Sequence, residues 1–176
     1  SKIFLHSMIK KYQNRMSKFN YSKNNLYFIT ICVKKNFCCL STINSSKNNT
    51  KHTIELTIVG VIINNQIEKL KSQYPYIEIH NYIVMPNHIH LIIELNPKKA
   101  VQDDIPLKSV YNIITPFKNI TAKLIKGIGV VNFSWQRTFH EYVIKDYDAY
   151  LDISEHISTN HQNWEKDTFF TTNTIC

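Results

Sequence analysis

Arginine is nearly absent from this chain. Of its 21 basic residues only Arg15 and Arg137 are arginine, so the net charge of +8 is carried by lysine. An excess of that size favours a polyanionic partner such as nucleic acid. The same chain is rich in Lys, Asn and Ile throughout, which dilutes the argument from charge alone. Cysteine is also scarce: Cys32, Cys38, Cys39 and Cys176. No second Cys pair or ordered His pair accompanies them, which excludes a zinc ribbon or finger. Reduced thiols are expected, with Cys32 as a small core residue. No apolar run approaches the length of a membrane span, and the leading "SKIFLHSMIKKYQNR" lacks the layout of a signal peptide. The expectation is a cytoplasmic protein without membrane contact. Internal repeats are missing, as is any composition shift that would mark a domain boundary. Residues 1–20 read as a basic arm and residues 21–176 as one domain.

What is present is a folded globule's composition, 43% hydrophobic and 12% aromatic. "LYFITICV", Leu26 to Val33, is β-branched and aromatic and predicts a strand. "STINSSKNNTK", Ser41 to Lys51, is polar and repetitive and reads as a loop. Between Glu55 and Gln73, Leu56, Val59, Ile63, Ile67 and Leu70 keep helical spacing. "IEIHNYIVM" and "HIHLIIEL" are two strands joined at Pro86-Asn87, a hairpin. Ser109 to Lys126 is a second helix in which Pro116 should produce a kink or break. "WQRTFHEYVI" carries a strand near its end, and Asp146 is a good N-cap for a last helix reaching about Asn160. Strand, helix, strand, strand, helix, strand, helix is the order of an α+β domain: a ferredoxin-like antiparallel sheet with helices packed on one side.

Two histidines stand inside the second hairpin strand. Side chains at i and i+2 of a strand share a face, so His88 and His90 project side by side, with Ile89, Leu91, Ile93 and Leu95 on the other face. Paired neutral imidazoles on a rigid strand make half a site for a divalent metal. A bare His-x-His is short and common, and two hydrogen-bonded histidines on a partly open face satisfy it equally well.

The surrounding blocks carry more. "VMPNHIH" resembles the His-hydrophobe-His signature of the single-tyrosine HUH transposases, and looks closest to the REP-associated tyrosine transposases and their insertion-sequence relatives. "NYSKNNLYFITICVKKNFCCL" resembles the family's first strand and its approach. "PLKSVYNIITPFKNITAKLIKG" resembles its Phe-Lys helix, and "WQRTFHEYVIKDYDAYLDISEHISTNHQNWEKD" its closing segment. The resemblance implies HUH histidines on a central strand, DNA transposition, and single-stranded or hairpin DNA as partner. It implies a monomer or a homodimer, associated with the bacterial nucleoid when on DNA. It also implies a divalent cofactor, Mg²⁺ or Mn²⁺, held by His88, His90 and a polar residue of the last helix, here Asn160. A tyrosine one helical turn before that ligand attacks the scissile phosphate and forms a 5′-phosphotyrosine link.

Here the chain departs from the pattern. The family's closing Tyr-Ile-x-x-Asn-Pro is "HISTNH": Ile157 and Asn160 match, but His156 stands at the nucleophile position and His161 at the proline. Tyr150 lies about 120° away from the His156 face and groups with Ile153 and Ile157 as core. Tyr147 falls on roughly the opposite side, and Tyr142 precedes the helix. His156 is open to three readings: a phosphoryl nucleophile in its own right, a third imidazole on the metal, or the mark of a decayed copy that binds DNA without cutting it. Lys118 and Arg137, at the family's Phe-Lys and Trp-Gln positions, and Lys34 and Lys35 at the strand exit are candidate phosphate contacts. Trp135 and Trp164 read as core or staple residues. An RNA-recognition domain of the ferredoxin-like class finds no support, since no aromatic pair occupies the required strand positions.

Overall fold

A computed structural model describes residues 25–45 and 51–174. The basic arm, the tip of the polar loop at 46–50 and Cys176 lie outside the described residues. A four-stranded antiparallel sheet is built from β1 (Leu26–Cys32), β4 (Ile77–Val84), β5 (His88–Leu95) and β6 (His140–Val143) in the order β4-β5-β1-β6. β1 is central because it pairs with β5 on one side, Thr30 opposite His90, and with β6 on the other, Thr30 opposite His140. This is the ferredoxin-like arrangement expected from the order of strands and helices.

The two long helices share one side of the sheet. α1 (Ile58–Gln73) starts where the Thr57 hydroxyl accepts from the Gly60 N–H, and buries Val59, Ile63, Ile67 and Leu70. After a short helix, α2 (Pro97–Gln102), α3 (Val110–Gly127) buries Ile113, Ile114, Phe117 and Ile125. Both faces join Ile29, Ile31, Ile89, Leu91 and Ile93 in one core. α3 runs unbroken through Pro116, so of the kink or break expected there the break does not occur. A proline forfeits one hydrogen bond there, and the apolar stripe pressed on the sheet outweighs that loss.

α4 (Tyr147–Thr159) is capped by Asp146, whose carboxylate accepts from the Ala149 N–H at 2.8 Å. It lies on the opposite face, where Tyr150 and Ile157 close a second core with Leu26, Ile92 and Ile144. The histidine-bearing face is therefore roofed, not open. A seven-residue 3-10 turn, Asn160–Lys166, continues from α4.

Two expectations need correction. Ser41 to Ser45 is strand β2, paired with β3 (His52–Leu56), so the polar stretch is the arm of a hairpin. Glu55 and Leu56 consequently belong to β3, and α1 begins three residues later than its periodicity suggests. Anchors from elsewhere hold this hairpin. Thr57 Oγ1 donates to the carbonyls of Cys39 and Leu40, and the Gln162 amide pairs with both the N–H and the C=O of His52.

Candidate active site

His88 and His90 stand next to each other on β5, 0% and 4% exposed. Their Nε2 atoms are 3.1 Å apart. Two donors at about 2.1 Å from one ion subtend near 95° at that separation, the angle of neighbouring ligands in an octahedron. A second atom orients each ring. Asn87 Oδ1 lies 2.9 Å from His88 Nδ1, and Thr30 Oγ1 lies 2.8 Å from His90 Nδ1. Fixing the outer nitrogen of each imidazole aims the inner one.

Burial holds both rings neutral. It pushes His88 down to about 3 and His90 to about 2, with like-charge opposition from His156 on both and from His88 on His90. Neutral imidazole is the form that binds a cation, so at neutral pH neither ring has to lose a positive charge first.

A third donor comes from a residue the sequence reading passed over. Asp167 follows the 3-10 turn. Its Oδ1 accepts from the Phe169 N–H at 2.7 Å, and its Oδ2 lies 3.9 Å from His88 Nε2. His88, His90 and Asp167 bring one donor atom each within 4.8 Å of one another. Asn160 begins the same turn, 3% exposed, and its Nδ2 is buried without a hydrogen-bond partner. The chain thus brings two buried imidazoles and a buried carboxylate within reach of one another, a donor set that suits a hard or borderline divalent ion.

His156 does not join that donor cluster. Its ring is exposed and lies 5.3 Å from the His90 ring. It borders a cavity of about 390 Å³ together with Phe28, Thr30, His90, His140, Lys166, Asp167 and Phe169. Among the described residues no tyrosine lines this cavity. Tyr150 is buried and turned to His80, its hydroxyl 3.4 Å from Nδ1, and Tyr147 is stacked on Tyr150. Tyr142 is opposite Phe28, so it shares the histidine face two residues beyond His140, but on the exposed edge strand and outside the cavity wall. His140 and Lys166 are cavity residues that the motif blocks did not single out. Register shows His140 at once, since Thr30 pairs with His90 on one side and with His140 on the other.

The three lysines and one arginine named from sequence separate into two kinds. Lys34, Lys35 and Arg137 are exposed. Lys118 is not available in the same way. Its ammonium donates to the carbonyls of Gln136, Arg137 and Thr138 at 2.8, 3.0 and 3.4 Å, and burial lowers its pKa. In this structure it ties the approach of β6 to α3. Trp135 is core, donating from Nε1 to Thr121 Oγ1, while Trp164 packs at 6.2 Å from the His88 ring.

The fold has a counterpart among solved structures. A REP-associated tyrosine transposase, solved bound to a REP hairpin, superposes with a TM-score of 0.50 at 20% identity over 78% of this chain and 66% of that one. The chain has a transposase-like fold. By sequence it is similar to an uncharacterized protein of Haemophilus influenzae strain Rd, 28% identical over 89% of this chain and 91% of the relative. No family model matches the sequence. Among the described residues no helix is long and apolar enough to cross a membrane.

Proposed function

We propose that this transposase-like chain binds single-stranded or hairpin DNA and holds a divalent cation, Mg²⁺ or Mn²⁺, beside the scissile phosphate. The observation that carries the reading is the convergence of two oriented, buried imidazole nitrogens at the edge of a cavity lined by His140, His156 and Lys166. His88 and His90 hold the ion, and Asp167 supplies the oxygen donor, with Asn160 as the alternative named from the family pattern. When bound, the cation polarises a phosphate oxygen as a Lewis acid. The chain's own residues do the rest. Lys166 and His140 donate to the phosphate from the cavity wall. Lys34, Lys35 and Arg137 take neighbouring phosphates. Phe28 and Phe169 exclude water.

His156 occupies the nucleophile position, and this decides the outcome of the reaction. An imidazole on the same Cα is shorter than a phenol, so its reactive nitrogen stops short of where a phenolic oxygen would attack. An ångström of misplacement can cost ~10²-fold. With no tyrosine among the described residues of the cavity wall, the protein should bind its DNA and leave no tyrosine-linked adduct. The fold then serves as a DNA-binding module.

The test uses a labelled single-stranded oligonucleotide and a labelled hairpin with Mg²⁺ or Mn²⁺. The unmodified protein is expected to shift both without covalent capture. His156→Tyr is expected to form an adduct, and adding His88→Ala to abolish it. An adduct on the unmodified protein, mapped to His156 or Tyr142, would overturn the binding-module reading in favour of a working divergent enzyme. Absence of DNA binding at low salt would overturn the nucleic-acid role itself.

A further inference from the structure

We propose that Asn87 is a positioning residue that fixes the proton of His88 on Nδ1, so that the Nε2 lone pair already faces the site before a cation arrives. The inference deepens the metal reading above, and its core, the position of one proton, is independent of any metal.

The argument is one of donors and acceptors. Asn87 is 0% exposed in the β4–β5 turn, and its backbone carbonyl accepts from the Val33 N–H at 2.8 Å. Its side-chain nitrogen donates to two carbonyl oxygens, Asn36 O at 3.0 Å and Phe169 O at 2.7 Å. Carbonyls only accept, so that end of the amide is the NH₂ group. A flipped amide would set its oxygen against two others in a buried place, at a cost of a few kcal/mol. The amide oxygen is therefore the atom 2.9 Å from His88 Nδ1. An amide oxygen cannot donate, so the ring nitrogen does, and the neutral ring has its lone pair on Nε2.

Asn36 presents its carbonyl at some expense. Lys35 and Asn36 both lie in the left-handed region, with φ of 59° and 54°. Such residues persist where their surroundings hold them. Asn36 Oδ1 accepts from the Gln136 amide at 3.0 Å, and its N–H donates to Val33 O. Phe169, the other acceptor, lies two residues past Asp167. The orientation of Asn87 is thus set from two directions.

The neighbouring ring follows. With a lone pair on His88 Nε2, the 3.1 Å contact requires His90 to donate from Nε2, and His90 Nδ1 then accepts from the Thr30 hydroxyl. For His90 Nε2 to hold a cation, its proton would pass to Nδ1, where the Thr30 oxygen would turn from donor to acceptor. One ligand is preset and the other adjusts.

The experiment is a long-range ¹H–¹⁵N spectrum of metal-free protein labelled in histidine, at neutral pH, with His88 assigned by His88→Gln. His88 is expected to show a protonated Nδ1 and a bare Nε2. Asn87→Asp keeps an acceptor for Nδ1–H and should keep that signature, at a loss of stability because its second oxygen faces the Asn36 and Phe169 carbonyls. Asn87→Leu should lose it and weaken Mn²⁺ binding about 10–100-fold. Protonated Nε2 on His88 in the unmodified protein overturns the proposal with no variant needed. So does an Asn87→Leu protein that loses Mn²⁺ affinity but keeps the Nδ1–H signature, since Asn87 would then merely latch the Phe169 segment. If the unmodified protein binds no Mn²⁺, the metal reading falls while the spectrum still decides for or against Asn87.

Discussion

Asp167 shows what residue-level reading of this chain could and could not reach. The histidine pair was legible because strand period two puts His88 and His90 on one face, whatever the rest of the fold does. Asp167 has no such period behind it. It meets the histidines only because a 3-10 turn folds back over β5 and the Phe169 N–H holds one of its oxygens. A motif that ends at Asn160 stops short of it. The two oxygen donors can be told apart. Asp167 brings a full negative charge to a buried cation and Asn160 only a dipole, so Asp167→Asn should lower Mn²⁺ affinity about 10–100-fold, and Asn160→Ala by distinctly less. Titration followed by manganese EPR reads both. The reverse ranking would return the third ligand to the family position and leave Asp167 as a capping residue of its turn. Asn87 was likewise invisible as a functional residue: a Pro-Asn between two strands reads as turn chemistry, and nothing in the sequence shows which atoms its amide will meet.

Among the elements, those with strong period or strong caps were legible, and those held from outside were not. α1 shows its buried stripe directly, and α4 shows its Asp146 cap. β2 is different. Ser41, Asn44 and Ser45 have little strand propensity, and the strand exists because β3 pairs with it and Thr57 ties down the Cys39 and Leu40 carbonyls. Propensity is a weak guide where tertiary contacts decide. The opposite lesson comes from Lys118. A lysine in a helix of a basic, transposase-like fold reads as a phosphate contact, yet its ammonium meets three carbonyls of the segment leading into β6. Lys118→Met should therefore act on stability. Removing a charged donor from partly exposed carbonyls costs about 1–3 kcal/mol, read as a lower urea midpoint. A lost phosphate contact would instead reduce the salt slope of binding to a single strand by about 0.7. Unchanged stability with a reduced slope would return Lys118 to the DNA-binding set. Arg137→Gln and Lys34→Gln, both exposed, carry the opposite expectation.

For the whole molecule, the buried histidine pair should make stability depend on pH below the ordinary histidine value. The ordinary histidine value near 6.5 holds in the unfolded chain, while burial depresses His88 to about 3 and His90 to about 2 in the folded one. The sign follows from proton counting. Below about pH 6.5 the unfolded chain takes up two protons that the folded chain refuses until far lower pH, so acid favours unfolding and stability falls as pH falls. Each fully depressed group contributes up to about 1.4 kcal/mol per pH unit. Between pH 7 and 5 the pair should cost about 2–4 kcal/mol, a large part of the 5–15 kcal/mol typical of a domain. Carboxylates protonate mainly below this window, which separates the histidine effect from general acid denaturation. His161, also lowered by burial, adds in the same direction, but as a less buried group it adds less. The measurement is urea unfolding at half-unit steps of pH in the presence of chelator. His88→Gln/His90→Gln, whatever its stability at pH 7, should lose most of the slope. A cation bound to the same pair adds a second arm. At a hundredfold excess over its Kd it stabilises by about 2.7 kcal/mol, and that gain should shrink towards pH 5 as protons compete for the donors. A stability that stays flat from pH 7 to 5, or a double variant that keeps the full slope, would show that the two imidazoles are not buried neutral side by side, and the site built on them would fall with that result.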